Sequence, residues 1–302
     1  MFKLGIDAGA CRFEVRINDV SILASDVARP FDVEFPVSEW IVEGTNQIAA
    51  LVQPPRVFTE DGEERVDQEH FDPAESALRL TLWVKRNGAP RDERIAITTL
   101  NFVARDTAPP GRGIESSAAA GRLDSRRRMA RDDEAGDVLV STVTLERDDE
   151  PPFDAFMVRD VTMPSPFPRW AWQDGLRIED DEPTRDALVA ELQRVWAQVA
   201  ARDVAAVEQL QAIKATEYQA AYYLDDAGKR DALPLVDLMQ TDALTLQPLP
   251  TDLTLQVFAD GRLARLVDDD GDPPLVLVSA EDVGYFVGLT YCRTDAGWVL
   301  VR

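Results

Sequence analysis

Apolar and polar residues alternate along the chain from residue 11 to about residue 168, and this pattern constrains the fold more than any other feature. Side chains two positions apart lie on the same face of a strand, so the alternation predicts half-buried strands. Asn18-Asp19 interrupts two apolar runs and predicts a hairpin turn. The predicted strands cover residues 13–17, 20–23, 31–35, 47–52, 78–84, 95–103, 138–145 and 153–161. About eight short antiparallel strands with polar turns pack most economically as a sandwich.

One segment breaks this pattern, from residue 106 to about residue 135. It holds Pro, Gly, Ser and mixed charges with few apolar side chains, so we predict a mobile insertion. Three acidic side chains directly follow its basic ones, so the charges cancel within the segment. This favours a solvated loop rather than a nucleic-acid contact. The basic residues are Arg126, Arg127, Arg128 and Arg131.

Helical spacing appears only in the second half of the chain. Thr184 or Asp186 is predicted to cap a helix whose apolar residues recur at helical intervals up to Val199, and a second helix is predicted from Val204 to about Tyr223. Alternation then returns, with strands predicted over residues 253–258, 263–267, 275–278, 285–292 and 298–301. The length of 302 residues suits two cores. We predict an all-β antiparallel sandwich over residues 1–168 and an α+β domain over residues 169–302.

The net charge of the chain indicates which class of partner it can bind. The chain has 55 acidic and 32 basic residues, for a net charge of −23. This surplus disfavours nucleic acid and anionic membranes and favours a cationic partner. The acidic residues predicted to contact it are Glu179, Asp180, Asp181, Glu182, Asp268, Asp269, Asp270 and Asp272.

Trp170 and Trp172 alternate near the predicted domain boundary, beside Arg169. In an extended segment both indoles would emerge on one face. Because Trp and Arg concentrate binding energy at interfaces, these three residues are candidate partner contacts. The alternative is that the indoles hold the two domains together.

Two cysteines, Cys11 and Cys292, cannot form a disulfide framework. This pattern predicts buried, inert thiols in a protein of the reducing cytoplasm. A single disulfide between the two remains an alternative. The N-terminal residues lack the apolar run of a secretory leader, and no stretch approaches the length of a membrane-spanning helix. Of the 32 basic residues only four are Lys, a bias typical of GC-rich bacterial genomes.

Catalytic and metal-binding patterns are missing from the sequence. His70 is the single histidine and lies in a polar segment without a neighbouring Ser or Cys. One His and two distant Cys cannot supply a zinc ligand set. The acidic run at residues 268–272 lacks EF-hand ligands at Leu266 and Leu277. Phosphate-binding glycine motifs are also lacking. We therefore predict no enzyme activity, no cofactor and no metal.

The second half resembles the NTF2-like family of α+β domains. The resemblance rests on the entry to the second predicted helix, Ala201-Arg202-Asp203-Val204, and on the last hairpin, Arg293-Thr294-Asp295-Ala296-Gly297-Trp298. It implies a helical hairpin packed in the concave face of a curved antiparallel sheet, and it leaves a homodimer open. Catalytic members of the family place His and Asp in the cone, and this chain has no such pair.

The first half resembles galactose-binding-like sandwiches in the segment Trp40-Ile41-Val42-Glu43-Gly44-Thr45-Asn46. A Gly before a polar residue also suits a tight turn, so sugar binding does not follow from the resemblance.

Together these features favour a non-enzymatic protein that binds a cationic protein through its acidic surface. A bacterial immunity protein that neutralises a cationic toxin or effector is one setting. Two alternatives stay open. One is a small-molecule-binding protein, or an isomerase or dehydratase, that uses the cone of the NTF2-like domain. The other is a carbohydrate-binding accessory module.

Overall fold

A computed structural model describes residues 1–25, 28–58, 64–67, 75–103, 114–118, 122–124, 128–129, 136–137, 139–140, 144–147, 155–231 and 233–302. The chain divides into two compact units, Met1–Pro168 and Arg169–Arg302. His70, Arg126, Arg127, Arg131 and most of the predicted insertion lie outside the described residues. Within the described segments, no helix combines the length and the apolar character needed to cross a bilayer.

The first unit is built from strands, as the alternation predicts. They are β1 (Phe2–Ala8), β2 (Arg12–Ile17), β3 (Val20–Ser25), β4 (Phe31–Pro36), β5 (Gly44–Gln53), β6 (Arg56–Phe58), β7 (Glu64–Val66), β8 (Ala77–Val84), β9 (Ile95–Val103), β10 (Ile114–Ala118), β11 (Arg122–Asp124), β12 (Arg128–Met129), β13 (Gly136–Asp137), β14 (Leu139–Val140), β15 (Thr144–Arg147) and β16 (Ala155–Met163).

Two antiparallel sheets contain most of these strands. One has the order β10-β9-β8-β1-β4, and the other has the order β14-β16-β5-β2-β3 with β15 also on β16. Asn18 and Asp19 have φ angles of 52° and 63°, which confirms the predicted hairpin between β2 and β3. The predicted strand over 138–145 is divided between β14 and β15.

Strand β1 was not predicted; it lies inside the first sheet between β8 and β4. Its odd-numbered positions are polar or Gly, and its even-numbered positions from Phe2 to Ala8 are buried. The alternation is therefore regular, but it is short and Gly5 interrupts it. Backbone pairing with β4 on one side and β8 on the other holds β1 in the sheet.

Gly9 follows β1 and packs against the backbone of Glu75. A Cβ at this position would lie inside the van der Waals distance of the Glu75 carbonyl oxygen, and a backbone atom cannot rotate away. We expect Gly9→Ala to lower the free energy of unfolding by about 1–3 kcal/mol, the usual cost of overpacking. Urea unfolding checks this. Gly288→Ala is the control, because the nearest atom to its added Cβ is 3.9 Å away. Equal effects of the two substitutions would contradict the steric argument.

The second unit begins with helices. They are α1 (Glu182–Ala200), α2 (Val204–Leu210), α3 (Ala212–Tyr222), α4 (Asp226–Asp231) and α5 (Pro234–Gln240). The predicted caps of α1 are wrong: Asp181 is the N-cap, and its carboxylate accepts from the Thr184 N–H at 2.9 Å. The predicted second helix is divided at Gln211 into α2 and α3, and α5 was not predicted.

The strands of the second unit follow the helices. They are β17 (Leu244–Leu246), β18 (Thr254–Phe258), β19 (Leu263–Val267), β20 (Leu275–Ser279), β21 (Gly284–Val287), β22 (Tyr291–Thr294) and β23 (Gly297–Leu300). They form antiparallel sheets of order β17-β20-β21 and β18-β19-β22-β23. The predicted strand over 285–292 is two strands, β21 and β22.

Helix α1 packs its apolar stripe on these strands. Leu188, Leu192 and Val195 of α1 share one buried core with Leu266 of β19 and Tyr291 of β22. The protein is thus a mixed α+β chain with a strand-rich N-terminal half.

Candidate partner-binding surface

The two tryptophans proposed as partner contacts are buried in the second unit. Trp170 is fully buried and Trp172 is 5% exposed. The extended segment expected here is wrong, because Ala171–Asp174 forms a 3₁₀ turn. Arg169 is exposed, but its Nε donates to the Asp174 carboxylate at 2.7 Å. Burial removes both indoles from the candidate contact residues.

A buried ion pair accompanies Trp170. Arg302 donates to the Glu217 carboxylate, and the two side chains are only 3% and 9% exposed. The second carboxylate oxygen of Glu217 accepts from the Ala171 N–H at 2.5 Å. The Arg302 guanidinium lies 5.7 Å from the Trp170 ring centre and 5.8 Å from that of Tyr218. These contacts join the 3₁₀ turn, α3 and the Arg302 segment inside the unit, where a partner has no access.

Both thiols are free and buried, as predicted. Burial raises the pKa of Cys11 to about 12. Burial, with a smaller contribution from the charge of Glu217, raises the pKa of Cys292 to about 11. A nucleophilic cysteine needs a lowered pKa, so neither thiol has the environment of a catalytic residue.

The acidic run at residues 179–182 is exposed but partly engaged. Asp181 caps α1, and hydrogen bonds from Thr184 lower the pKa of its carboxyl. Glu179 lies 4.0 Å from Arg177, and Glu182 lies 3.7 Å from Arg185. Internal contacts therefore use three of the four predicted acids, and this run is the weaker of the two acidic candidates.

The second acidic run forms the turn between β19 and β20. Asp268 organises the turn, because its carboxylate accepts from the N–H groups of Asp270 and Asp272 at 3.1 and 2.8 Å. Gly271 supplies the positive φ of 85° that the turn requires. Asp269, Asp270 and Asp272 are exposed. No described cation forms an ion pair with any of these acids.

An exposed aromatic strand lies beside this turn, and its role as a surface was not predicted from the sequence. Strand β21 is at the edge of the β17-β20-β21 sheet. Phe286 is 53% exposed, Tyr285 is 41% exposed, and Val283 just before the strand is 50% exposed. An edge strand offers unpaired backbone N–H and C=O groups along one side. Large apolar side chains on such an edge are typical of a surface that another chain covers.

Acidic groups lie at both ends of β21. Glu281 and Asp282 occupy the turn before it and are exposed. The acidic turn at residues 268–272 lies at its other end, because Val287 pairs with Leu275 at the start of β20. We call β21, Val283 and these two acidic turns the β21 surface.

Within the described residues, no group of three or more His, Cys, Asp or Glu side chains is placed to hold a metal ion. Comparison with protein-family models, curated proteins and solved structures found no match to the chain. The β21 surface is therefore defined by its own geometry: an open strand edge, two exposed aromatic rings and negative charge at each end.

Proposed function

We propose that this protein is a non-enzymatic binding protein whose β21 surface receives an extended basic segment of a partner protein. The observation that carries the proposal is the exposure of Tyr285 and Phe286 on an edge strand whose two flanking turns are acidic. Exposed apolar side chains, the backbone groups of a strand edge and negative charge occur together here. The side chains would supply affinity, the backbone groups the register of the partner, and the charge its selection.

The backbone of the strand edge would fix the register in which the partner segment pairs with β21. A partner segment that adds beside β21 would form main-chain hydrogen bonds, and its alternate side chains would meet the side chains of this surface. Phe286 and Tyr285 would supply the buried contacts that dominate affinity at an interface.

The acidic turns select the charge of the partner. Asp269, Asp270 and Asp272 at one end and Glu281 and Asp282 at the other attract basic side chains, and the net charge of −23 strengthens the attraction at long range. Such complementarity raises the association rate and rejects acidic competitors.

We also propose a fold family for each of the two units. Helices that precede two antiparallel sheets and share a buried core with them support an NTF2-like second unit, and the two large sheets of the first unit support a sandwich of the galactose-binding-like type. A bacterial immunity protein that neutralises a cationic toxin or effector is the biological setting that suits an acidic binding protein best.

The two alternative functions have less structural support. A cavity lined by Leu192, Leu266 and Tyr291 in the second unit measures about 10 Å³, which is room for about one water and not for a substrate. On the first unit Trp83 carries the Arg94 guanidinium 4.0 Å from its ring centre, so Arg94 competes with a sugar for that ring.

A displayed library of random peptides, panned against the purified protein, tests the proposal. We expect the selected peptides to alternate Lys or Arg with apolar residues. Their affinity should fall at least tenfold with Phe286→Ala, as for an interface anchor, and should weaken as salt rises.

Ile213→Ala is the matched control, because Ile213 is an exposed apolar residue on α3, outside the β21 surface. It should leave the affinity unchanged. Selected peptides without basic residues, or equal affinity for the wild type and Phe286→Ala, would rule out binding of a basic segment at β21.

A further inference from the structure

The outward face of the β10-β9-β8-β1-β4 sheet carries a cleft that none of the functions above uses. It measures about 450 Å³ and lies over β1, β4 and the connection between β8 and β9. A second cavity of about 340 Å³, which shares six of its lining residues, continues it along β1. Clefts of this size hold small molecules in many proteins.

One end of the cleft is acidic. Asp7 of β1 and Asp32 of β4 are register partners, and both are exposed. Neither forms an ion pair with another described residue. Like charges directly opposite each other on neighbouring strands repel, so a cation placed above them would relieve a cost already present in the fold. Arg79 is the register partner of Asp7 on the side away from Asp32, which leaves the Asp32 side for that cation.

The other end has a surplus of cations. Lys3 and Arg94 both contact the Glu34 carboxylate, Lys3 at 3.2 Å. Arg91 reaches the same carboxylate at 3.5 Å, and its side chain is 75% exposed. Lys85 lines the cleft as well. One carboxylate is thus shared among several cations, and the exposed Arg91 guanidinium has further donors to offer an anion.

Gly5 leaves the floor of the cleft bare in the row that contains Glu34. It pairs with Glu34 on one side and with Thr81 on the other, and a Cβ here would come within 3.3 Å of Trp83 Nε1. Gly5 is two residues from Asp7, so the acidic row and the row that contains Glu34 are about 7 Å apart along the strand. The Nε1 edge of the Trp83 indole lies beside this floor, and Arg94 occupies a face of the same ring.

We propose that this cleft binds a small zwitterion that carries an ammonium group and a carboxylate about 7 Å apart. The ammonium group lies over Asp7 and Asp32, the carboxylate meets the Arg91 guanidinium, and the alkyl stem lies along β1 beside Gly5 and Trp83. The ligand class is the ω-amino carboxylic acids. This site is independent of the β21 surface.

Titration calorimetry at low ionic strength with 6-aminohexanoate tests the proposal, with hexylamine and hexanoate as probes that carry one charge each. We expect 6-aminohexanoate to bind at least tenfold more tightly than either. Asp32→Asn and Arg91→Gln should each weaken it at least fivefold, because each removes the partner of one ligand charge.

Two variants outside the cleft are the controls. Asp19→Asn lies on the β2–β3 turn, and Arg86→Gln removes an exposed guanidinium that pairs with Glu93. Both should bind like the wild type. The zwitterion site is overturned if hexanoate binds as tightly as 6-aminohexanoate, if neither binds, or if Asp32→Asn has no effect.

Discussion

Removal of the Glu217 carboxylate is expected to lower the free energy of unfolding of the second unit by about 3–5 kcal/mol, because it breaks a buried ion pair by deleting the carboxylate that Arg302 contacts. The Arg302 guanidinium lies 5.7 Å from the Trp170 ring centre, and its side chain is only 3% exposed, so in Glu217→Ala solvent can replace little of the lost interaction. The Ala171 N–H also loses its acceptor. Hydrogen exchange of α3 amides measures the effect in the second unit, and exchange of β1 and β5 amides shows whether the first unit is unaffected.

A double variant separates the buried charge from the packing. Glu217→Leu with Arg302→Met replaces both charged groups by apolar ones, and such replacements of buried pairs are often neutral or stabilising. We expect the double variant to recover most of the loss seen in Glu217→Ala. A loss below about 1 kcal/mol in Glu217→Ala would be the behaviour of a solvated surface pair and would contradict the burial argument.

Local patterns were sufficient for much of the fold. The hairpin at Asn18-Asp19 follows from residues that tolerate positive φ between two alternating runs. Helix α1 follows from apolar residues at helical spacing. Both features depend on neighbours in the sequence. The boundaries were less accurate, since the cap of α1 depends on which of several nearby acids reaches a backbone N–H.

Other features depend on contacts far apart in the chain, and the sequence did not reveal them. Trp170 is buried, and the turn that follows it is held by Glu217, 46 residues beyond Ala171, which accepts a hydrogen bond from the Ala171 N–H. Strand β21 was identified as part of a strand, but apolar residues at an edge look the same in sequence as apolar residues in a core. The acidic turn at residues 268–272 was visible as a run of Asp, whereas the contribution of Glu281, Asp282 and the exposed rings required the sheet order.

Arg159 departs from the alternation of inward apolar and outward polar side chains in the first unit. It occupies an inward position of β16 between Met157 and Val161, which are both buried, and it is 3% exposed. Its Nη1 donates to the Thr98 hydroxyl of β9 at 2.9 Å, so it links the two sheets. Among the described residues its Nε has no hydrogen-bond partner and no carboxylate pairs with the guanidinium. Burial accordingly lowers the pKa of this guanidinium.

Arg159→Met is therefore expected to raise the free energy of unfolding of the first unit by about 1–4 kcal/mol, the gain seen when buried charges are replaced by apolar groups of similar volume. Thr98 loses a partner in this variant, so Arg159→Met with Thr98→Val should gain more than the single substitution. Urea unfolding of the three proteins measures both effects. Arg16→Met is the control, since Arg16 is a half-exposed cation of the same unit whose surface pairs with Glu14 and Asp19 contribute little, and it should change stability little. A clear loss of stability in Arg159→Met would mean that the contact with Thr98 outweighs the cost of burying the charge.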